Sequence, residues 1–300
     1  MLAVTVDVED WYHIPSVCGS PFSVFKDTNE FFKKWNKRYD YLSEPTKRVL
    51  DLLDDMDVTA TFFVVADVVE HYPGLLESII VRGHEIGCHG LYHSLKIHPK
   101  TKEPLMSINE FKQRTLKAKI NLEKVCRNKI IGYRSPGAYV GGWMLDILVD
   151  LDFKYDSSVC VNSIYNKTDS SLKNVNTYPY YPKKGSLEPG KKRNFIEFPW
   201  SYYEIFGVRV PTSGGPTLRF LGDGVVLRGL KQSLNKGHTL FYFHPIDLSR
   251  EKFPNIGKGR PFYWAIKGEI IERRIIKVLK TFRKMNVRMS PMSECLGDML

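Results

Sequence analysis

Apolar runs of strand length alternate with helix-period segments along almost the whole chain. Runs at 2–6, 59–65, 84–88, 130–133, 153–155, 195–198 and 239–243 read as strands. Between them, apolar residues recur at helical spacing over 44–55, 68–81, 107–125 and 143–151. Strands that alternate with helices imply a parallel sheet, either doubly wound or closed into a barrel.

Two stretches break this rhythm. Residues 11–43 are rich in aromatic and charged side chains, and 162–194 are rich in Ser, Asn, Tyr, Pro and Lys with no clear period. Loops of this length within a compact domain are usually functional or disordered. Both follow predicted strands, which places them over the strand ends. The last regular stretch, 269–285, carries Ile271, Ile275, Leu279 and Phe282 at helical spacing among Arg and Lys. It reads as an amphipathic helix that packs on the body of the protein.

No internal repeat or linker divides the 300 residues, and one α/β barrel commonly runs to about 250 residues. We therefore expect one domain over 1–300, with a core at 1–250 and an extension at 251–300. The 43% apolar content is ordinary for a globular protein. No run approaches the roughly 20 apolar residues that span a bilayer. The start, Met1-Leu2-Ala3-Val4-Thr5-Val6-Asp7, lacks a basic n-region and an apolar signal core, which points to a cytoplasmic protein. The five cysteines, at 18, 88, 126, 160 and 295, are scattered without a CxxC pair. They argue against a disulfide framework or a zinc ribbon. The net charge of +11 gathers at Lys183-Lys184, Lys191-Lys192-Arg193 and the C-terminal helix, with no nucleic-acid motif. It reads as a lysine-rich surface open to peripheral contact with anions, and it leaves the oligomeric state open.

The ionisable residues gather at one place in this scheme. Asp7, Glu9 and Asp10 end the first strand, His89 and His93 follow the third, and Arg134 the fourth. Asp156 follows the run at 153–155, and His244 the run at 239–243. In parallel α/β folds the C-terminal strand ends form the mouth of the active site. On a helical turn, the four-residue spacing of His89 and His93 sets both imidazoles on one face, able to share an ion. Two histidines and one carboxylate leave positions open for water, whose pKa a divalent ion lowers. Asp7 and Glu9 point to the same side of an extended strand. We assign Asp7 as general base and Glu9 as metal ligand, with Asp10 a competitor for either role.

The segments VTVDVEDWYH, ATFFVVADVVEHYPGLLESIIVRGHEIGCHGLYHS, GYRSPGAY, FKYDSSV and TLFYFHPIDL occur in this order. Together they resemble the polysaccharide deacetylases of carbohydrate esterase family four. The resemblance covers 1–250 and is strongest to the branch of exopolysaccharide gene clusters, whose first motif reads DVED where TFDDG is commoner.

This resemblance implies a distorted (β/α) barrel of about seven parallel strands, plus the C-terminal amphipathic helix. It implies that Asp7 is the base, that Arg134 holds it ionised, and that His244 protonates the leaving amine. Asp156 is the expected carboxylate behind His244, with Asp247 the lesser candidate. The metal falls on His89, His93 and either Glu9 or Asp10, with zinc expected and cobalt or nickel able to substitute. A backbone N–H after Pro136, of Gly137 or Ala138, stabilises the oxyanion. Trp11, Pro136, Gly137, Tyr139 and Trp200 are expected to touch substrate. Phe198-Pro199-Trp200 matches the family's tryptophan motif only loosely. The expected reaction releases acetate from an N-acetylated amino-sugar polymer, oligosaccharide or glycan precursor. Hydrolysis of a cyclic imide or ureide, and glycan binding without catalysis, are the alternatives.

Overall fold

A computed structural model of the chain describes residues 1–257 and 265–299, so the extension expected at 251–300 lies partly outside the described residues. At its centre is β1 (Leu2–Val8), buried along its whole length. Three strands share its two edges. On one edge β9 (Thr239–Phe243) pairs with residues 2–6. On the other, β2 (Thr61–Val64) pairs with residues 5–8 and the short β10 (Met289–Ser290) with Leu2 and Ala3. Beyond β2 follow β3 (Glu85–Cys88), β4 (Gly132–Tyr133), β5 (Tyr155–Asp156) and β6 (Ile196–Glu197), all parallel. The run from β9 through β1 to β6 thus holds seven parallel strands that curve into a distorted half-barrel, with β10 an eighth.

Helices surround this sheet, which is why β2 and β9 are continuous apolar runs with no polar alternation. They are α1 (Thr28–Lys34), α2 (Ser43–Asp55), α3 (Val68–His71), α4 (Leu75–Ile80), α5 (Ile108–Cys126), α6 (Gly142–Asp150), α7 (Gly215–Phe220), α8 (Gly222–Leu234), α9 (Glu269–Lys284) and α10 (Met292–Gly297). The single helix expected over 68–81 is divided between α3 and α4. Pro73 and Gly74 part them, the latter at φ +83.

The sequence reading missed α1, α7, α8, β10, α10 and the antiparallel hairpin of β7 (Tyr202–Ile205) and β8 (Val208–Pro211). That hairpin turns on Phe206 and Gly207, both at positive φ, as a two-residue turn requires. It matters because of where it delivers the chain. Between β6 and β9 the Thr212 N–H donates to Ser201 O at 2.8 Å, and the Tyr242 N–H to Ser213 O at 2.7 Å. Gly214, at φ +137, lies so close to Tyr242 that a Cβ there would fall 1.9 Å from its carbonyl oxygen. The gap in the sheet is bridged by this segment.

Ile271, Ile275, Val278, Leu279 and Phe282 form the buried stripe of α9, which packs against α8 and the 3-10 turn Pro245–Leu248. We predict that Ile275→Ala costs about 2–5 kcal/mol in urea denaturation, since a buried aliphatic is cut back to a cavity. The exposed Lys280→Ala stays within about 0.5 kcal/mol. Among the described residues no helix is long and apolar enough to cross a membrane. All five cysteines are unpaired and buried.

Candidate metal centre and catalytic cleft

The strand ends of β1, β3 and β9 open into a cleft of about 680 Å³. Both long irregular segments reach it, one through Ile14, Pro15 and Phe22, the other through Lys167.

Glu9, just past β1, meets His89 and His93, just past β3; one ligand atom from each lies within 4.8 Å of the others. All three are buried. The histidines are not on a helical turn as expected. They sit on a bent loop in which Gly90 (φ +81) and His93 (φ +51) both take left-handed backbone. The loop is pinned to its neighbour: the Ala66 and Asp67 N–H groups donate to Gly90 O and Leu91 O at 2.9 and 3.2 Å. Each imidazole faces a carbonyl through Nδ1, His89 toward Arg134 O at 2.8 Å and His93 toward His13 O at 2.7 Å. A carbonyl only accepts, so each Nδ1 carries the proton and each Nε2 turns a lone pair toward Glu9. Burial keeps His89 neutral by pulling its pKa down to about 4. For Glu9, burial acts upward, but its contacts with His93 first, then His244 and His89, override it and hold the carboxyl far below its usual range.

This donor set fits a divalent ion. Two imidazole lone pairs and a carboxylate converge, and Glu9 Oε2 has no hydrogen-bond donor of its own. Among the described residues, Glu9, His89 and His93 form the cluster that could hold a metal ion.

Asp10, the competing candidate, does not join them. Its Oδ1 accepts the Trp11 N–H at 2.6 Å, and its Oδ2 accepts the Tyr41 N–H at 2.8 Å and the Tyr72 hydroxyl at 2.6 Å. The strand ends at Val8, and Asp10, still extended in its backbone, caps the 3-10 turn Trp11–His13.

Asp7 is ion-paired with Arg134 at 2.6 Å, and both are buried. Arg134 also donates to Thr5 Oγ1 at 2.9 Å and to Ser157 O and Oγ at 3.0 Å each. Its guanidinium carbon lies 4.2 Å from the centroid of the Phe63 ring. Across the cleft, His244 Nε2 lies 3.4 Å from Glu9 Oε1.

The carboxylate behind His244 is Asp247, not Asp156. Asp247 folds back within its 3-10 turn and accepts from the His244 N–H at 2.9 Å and ring Nδ1 at 3.0 Å, while Arg219 pairs with its other oxygen. Burial lowers the His244 pKa, but Asp247 and Glu9 more than reverse this and leave it above the ordinary histidine value. Asp156 stands instead opposite Glu197 in the β5–β6 register. Its Oδ1 accepts the Ser158 hydroxyl at 2.7 Å. Burial, followed by the neighbouring Asp156 charge, pushes the Glu197 carboxyl well above the ordinary carboxylate range.

Of the candidate substrate contacts, Gly137, Tyr139 and Trp200 line the cleft, with the Tyr242 ring tilted against Trp200 at 4.4 Å between centroids. Trp11 and Pro136 do not. Trp11 is fully buried among Phe31, Trp35 and Tyr41 and donates from Nε1 to Tyr39 O at 2.8 Å. Pro136 is buried beneath the turn Pro136–Ala138. In that turn the Ala138 and Tyr139 N–H groups donate to Ser135 O and Pro136 O, which leaves Gly137 as the remaining donor. Sequence reasoning missed Thr5, Ser157, Lys167, Arg219, Glu197 and Tyr242. The first two had no charge to mark them, and Tyr242 was read only as strand filling.

Residues 34–155 match the family model for polysaccharide deacetylase, and 166–290 match a domain of unknown function, DUF3473. The first match begins after β1 and ends before His244, so it spans His89, His93 and Arg134 but neither Asp7 nor Glu9. A peptidoglycan-N-acetylmuramic acid deacetylase of Bacillus subtilis is 29% identical over 126 residues, 36% of this chain and 48% of that protein. The alignments to the curated relatives span less than half of their lengths. Among solved structures, a candidate polysaccharide deacetylase from Mycobacterium smegmatis superposes with a TM-score of 0.59 at 19% identity, covering 99% of this chain and 88% of that one. A pseudoenzyme of carbohydrate esterase family four from Bacillus anthracis gives 0.53 at 13% identity, covering 99% and 65%. At such identities the superpositions speak for the fold alone. The polysaccharide deacetylase match thus covers residues 34–155, and the superpositions agree with it in fold.

Proposed function

We propose that this protein is a metal-dependent hydrolase that removes N-acetyl groups from an amino-sugar polymer, oligosaccharide or glycan precursor and releases acetate. The observation that carries this reading is the convergence of Glu9, His89 and His93 with both Nδ1–H groups held by carbonyls. A divalent ion held by these three, zinc with cobalt or nickel as substitutes, supplies the Lewis acidity that makes water a nucleophile near neutral pH and polarises the amide carbonyl.

The chain's own groups supply the rest. Asp7, ion-paired with Arg134, accepts the proton of the attacking water. The Gly137 N–H stabilises negative charge on the amide oxygen. His244, raised and oriented by Asp247, donates a proton to the departing amine as the C–N bond breaks. Trp200 and Tyr242 form the apolar wall against which the acetyl methyl rests. All five ionisable groups that the reaction needs stand in one cleft, which favours catalysis over glycan binding alone.

The direct test is acetate release from N-acetylated oligosaccharides before and after chelation, with Zn2+, Co2+ or Ni2+ restored. Activity that survives complete metal removal ends the proposal. A pH prediction follows from Asp247. His244 is protonated below its raised pKa and loses that proton as pH rises through it. Asp247→Asn removes the raising charge, so the alkaline limb of kcat/KM moves to lower pH; an unmoved limb excludes His244 as the acid.

A further inference from the structure

Among the described residues, the charges that line the cleft pair off with one exception. Asp7 meets Arg134, Asp247 meets both Arg219 and His244, and Glu9 meets His93 and His244. Lys167, contributed by the irregular segment 162–194, is half-buried in the wall. Its Nζ donates to Gly137 O at 2.9 Å and lies 5.4 and 5.6 Å from the ring centroids of Tyr139 and Tyr165. Among the described residues no carboxylate forms an ion pair with it, and residues 258–264 contain no acid.

An ammonium has three donors, and Gly137 O engages one. Taking the charge out of water without a counter-ion is costly. Burial, the leading cause, draws the Lys167 pKa down, and the neighbouring Lys102 acts in the same direction. Holding the turn at Gly137 needs only a neutral donor, so the positive charge is left without a structural purpose. Its position gives it one, because Gly137 is the turn that lines the reaction site. The charge is also single. Lys102 is tied to Pro99 O and Asn166 O, and Arg219 to Asp247, so among the described residues no second free cation helps to form the multi-donor cradle that phosphate or sulfate takes.

We propose that Lys167 reads a carboxylate, and that the natural substrate is an acidic N-acetylated glycan. The carboxylate is carried either on the reacting sugar or on its neighbour. This rests on the deacetylase reading only in placing a glycan in the cleft.

The test is calorimetric titration of the full chain with three oligosaccharides of equal length. One alternates N-acetylglucosamine with glucuronate, one contains N-acetylmuramate, and one is a neutral N-acetylglucosamine oligomer. Wild type is expected to bind at least one acidic oligomer about tenfold or more tightly than the neutral one, the scale of a charge-assisted hydrogen bond. The ratio collapses in Lys167→Met and persists in Lys167→Arg. The acid that is preferred identifies the source of the carboxylate. Equal affinity for all three, or a preference that survives in Lys167→Met, overturns the proposal. Acetate release is measured on the same oligomers. A Lys167-dependent preference without acetate release upholds acid recognition and overturns the deacetylase reading instead.

Discussion

Glu9→Gln is expected to weaken Zn2+ binding by more than about 100-fold, beyond the loss typical of an outer-shell change, and to abolish acetate release, while Asp10→Asn leaves the metal in place. The two residues are neighbours in sequence and both buried carboxylates, yet their oxygens face different partners. The Glu9 oxygens point to His93 and His244 and receive no backbone donor. The Asp10 oxygens receive two backbone N–H groups and a tyrosine hydroxyl, which tie together the 3-10 turn at Trp11, the chain at Tyr41 and the end of α3 at Tyr72. An amide in place of Asp10 turns a donor toward a donor and gives up charge-assisted bonds, at a cost of about 2–3 kcal/mol. Glu9→Gln keeps its shape and loses little stability. Metal affinity by chelator competition and stability by urea denaturation separate the two variants. Loss of metal in Asp10→Asn with unchanged stability would invert the assignment.

The second large effect concerns Asp7 and Arg134. Asp7→Asn leaves the shape of the site and removes the base, so kcat falls by about 1,000-fold, within the range for lost general base catalysis. Arg134→Met acts differently. It strands Asp7 as a buried carboxylate and leaves Thr5 Oγ1 and Ser157 Oγ without their Arg134 donor, so the fold loses about 3–5 kcal/mol. The double variant Asp7→Asn with Arg134→Met removes the stranded charge. It regains part of that stability but none of the activity. The cycle thereby separates the pair's structural coupling from its catalytic one. Additive stabilities across the cycle would mean that the 2.6 Å contact carries no coupling.

What could be read from the sequence followed how local each signal was. The seven sheet strands from β9 to β6 were legible because buried parallel strands are short apolar runs. The hairpin of β7 and β8 was not, since its residues alternate only weakly and β8 is mostly exposed or half-exposed. α8 was missed because three glycines between 222 and 229 dilute its apolar period. β10 exists only because β1 offers Leu2 and Ala3 as partners, and two residues carry no period of their own.

The same distinction holds at the site. Strand ends are local features, so the sequence by itself determined that Asp7, His89, His93, Arg134 and His244 would stand at one rim of a parallel sheet. It also determined the likeness to deacetylases through the order of their motifs. Which carboxylate serves which partner was decided by tertiary structure alone. Strand alternation favoured Glu9 but stops at Val8, and Asp10 is claimed by donors 31 and 62 residues away. His244 takes Asp247 because its turn folds back, while Asp156 is held across the sheet by Glu197. Hydrogen bonds form between groups that folding brings together, and sequence distance carries no record of that.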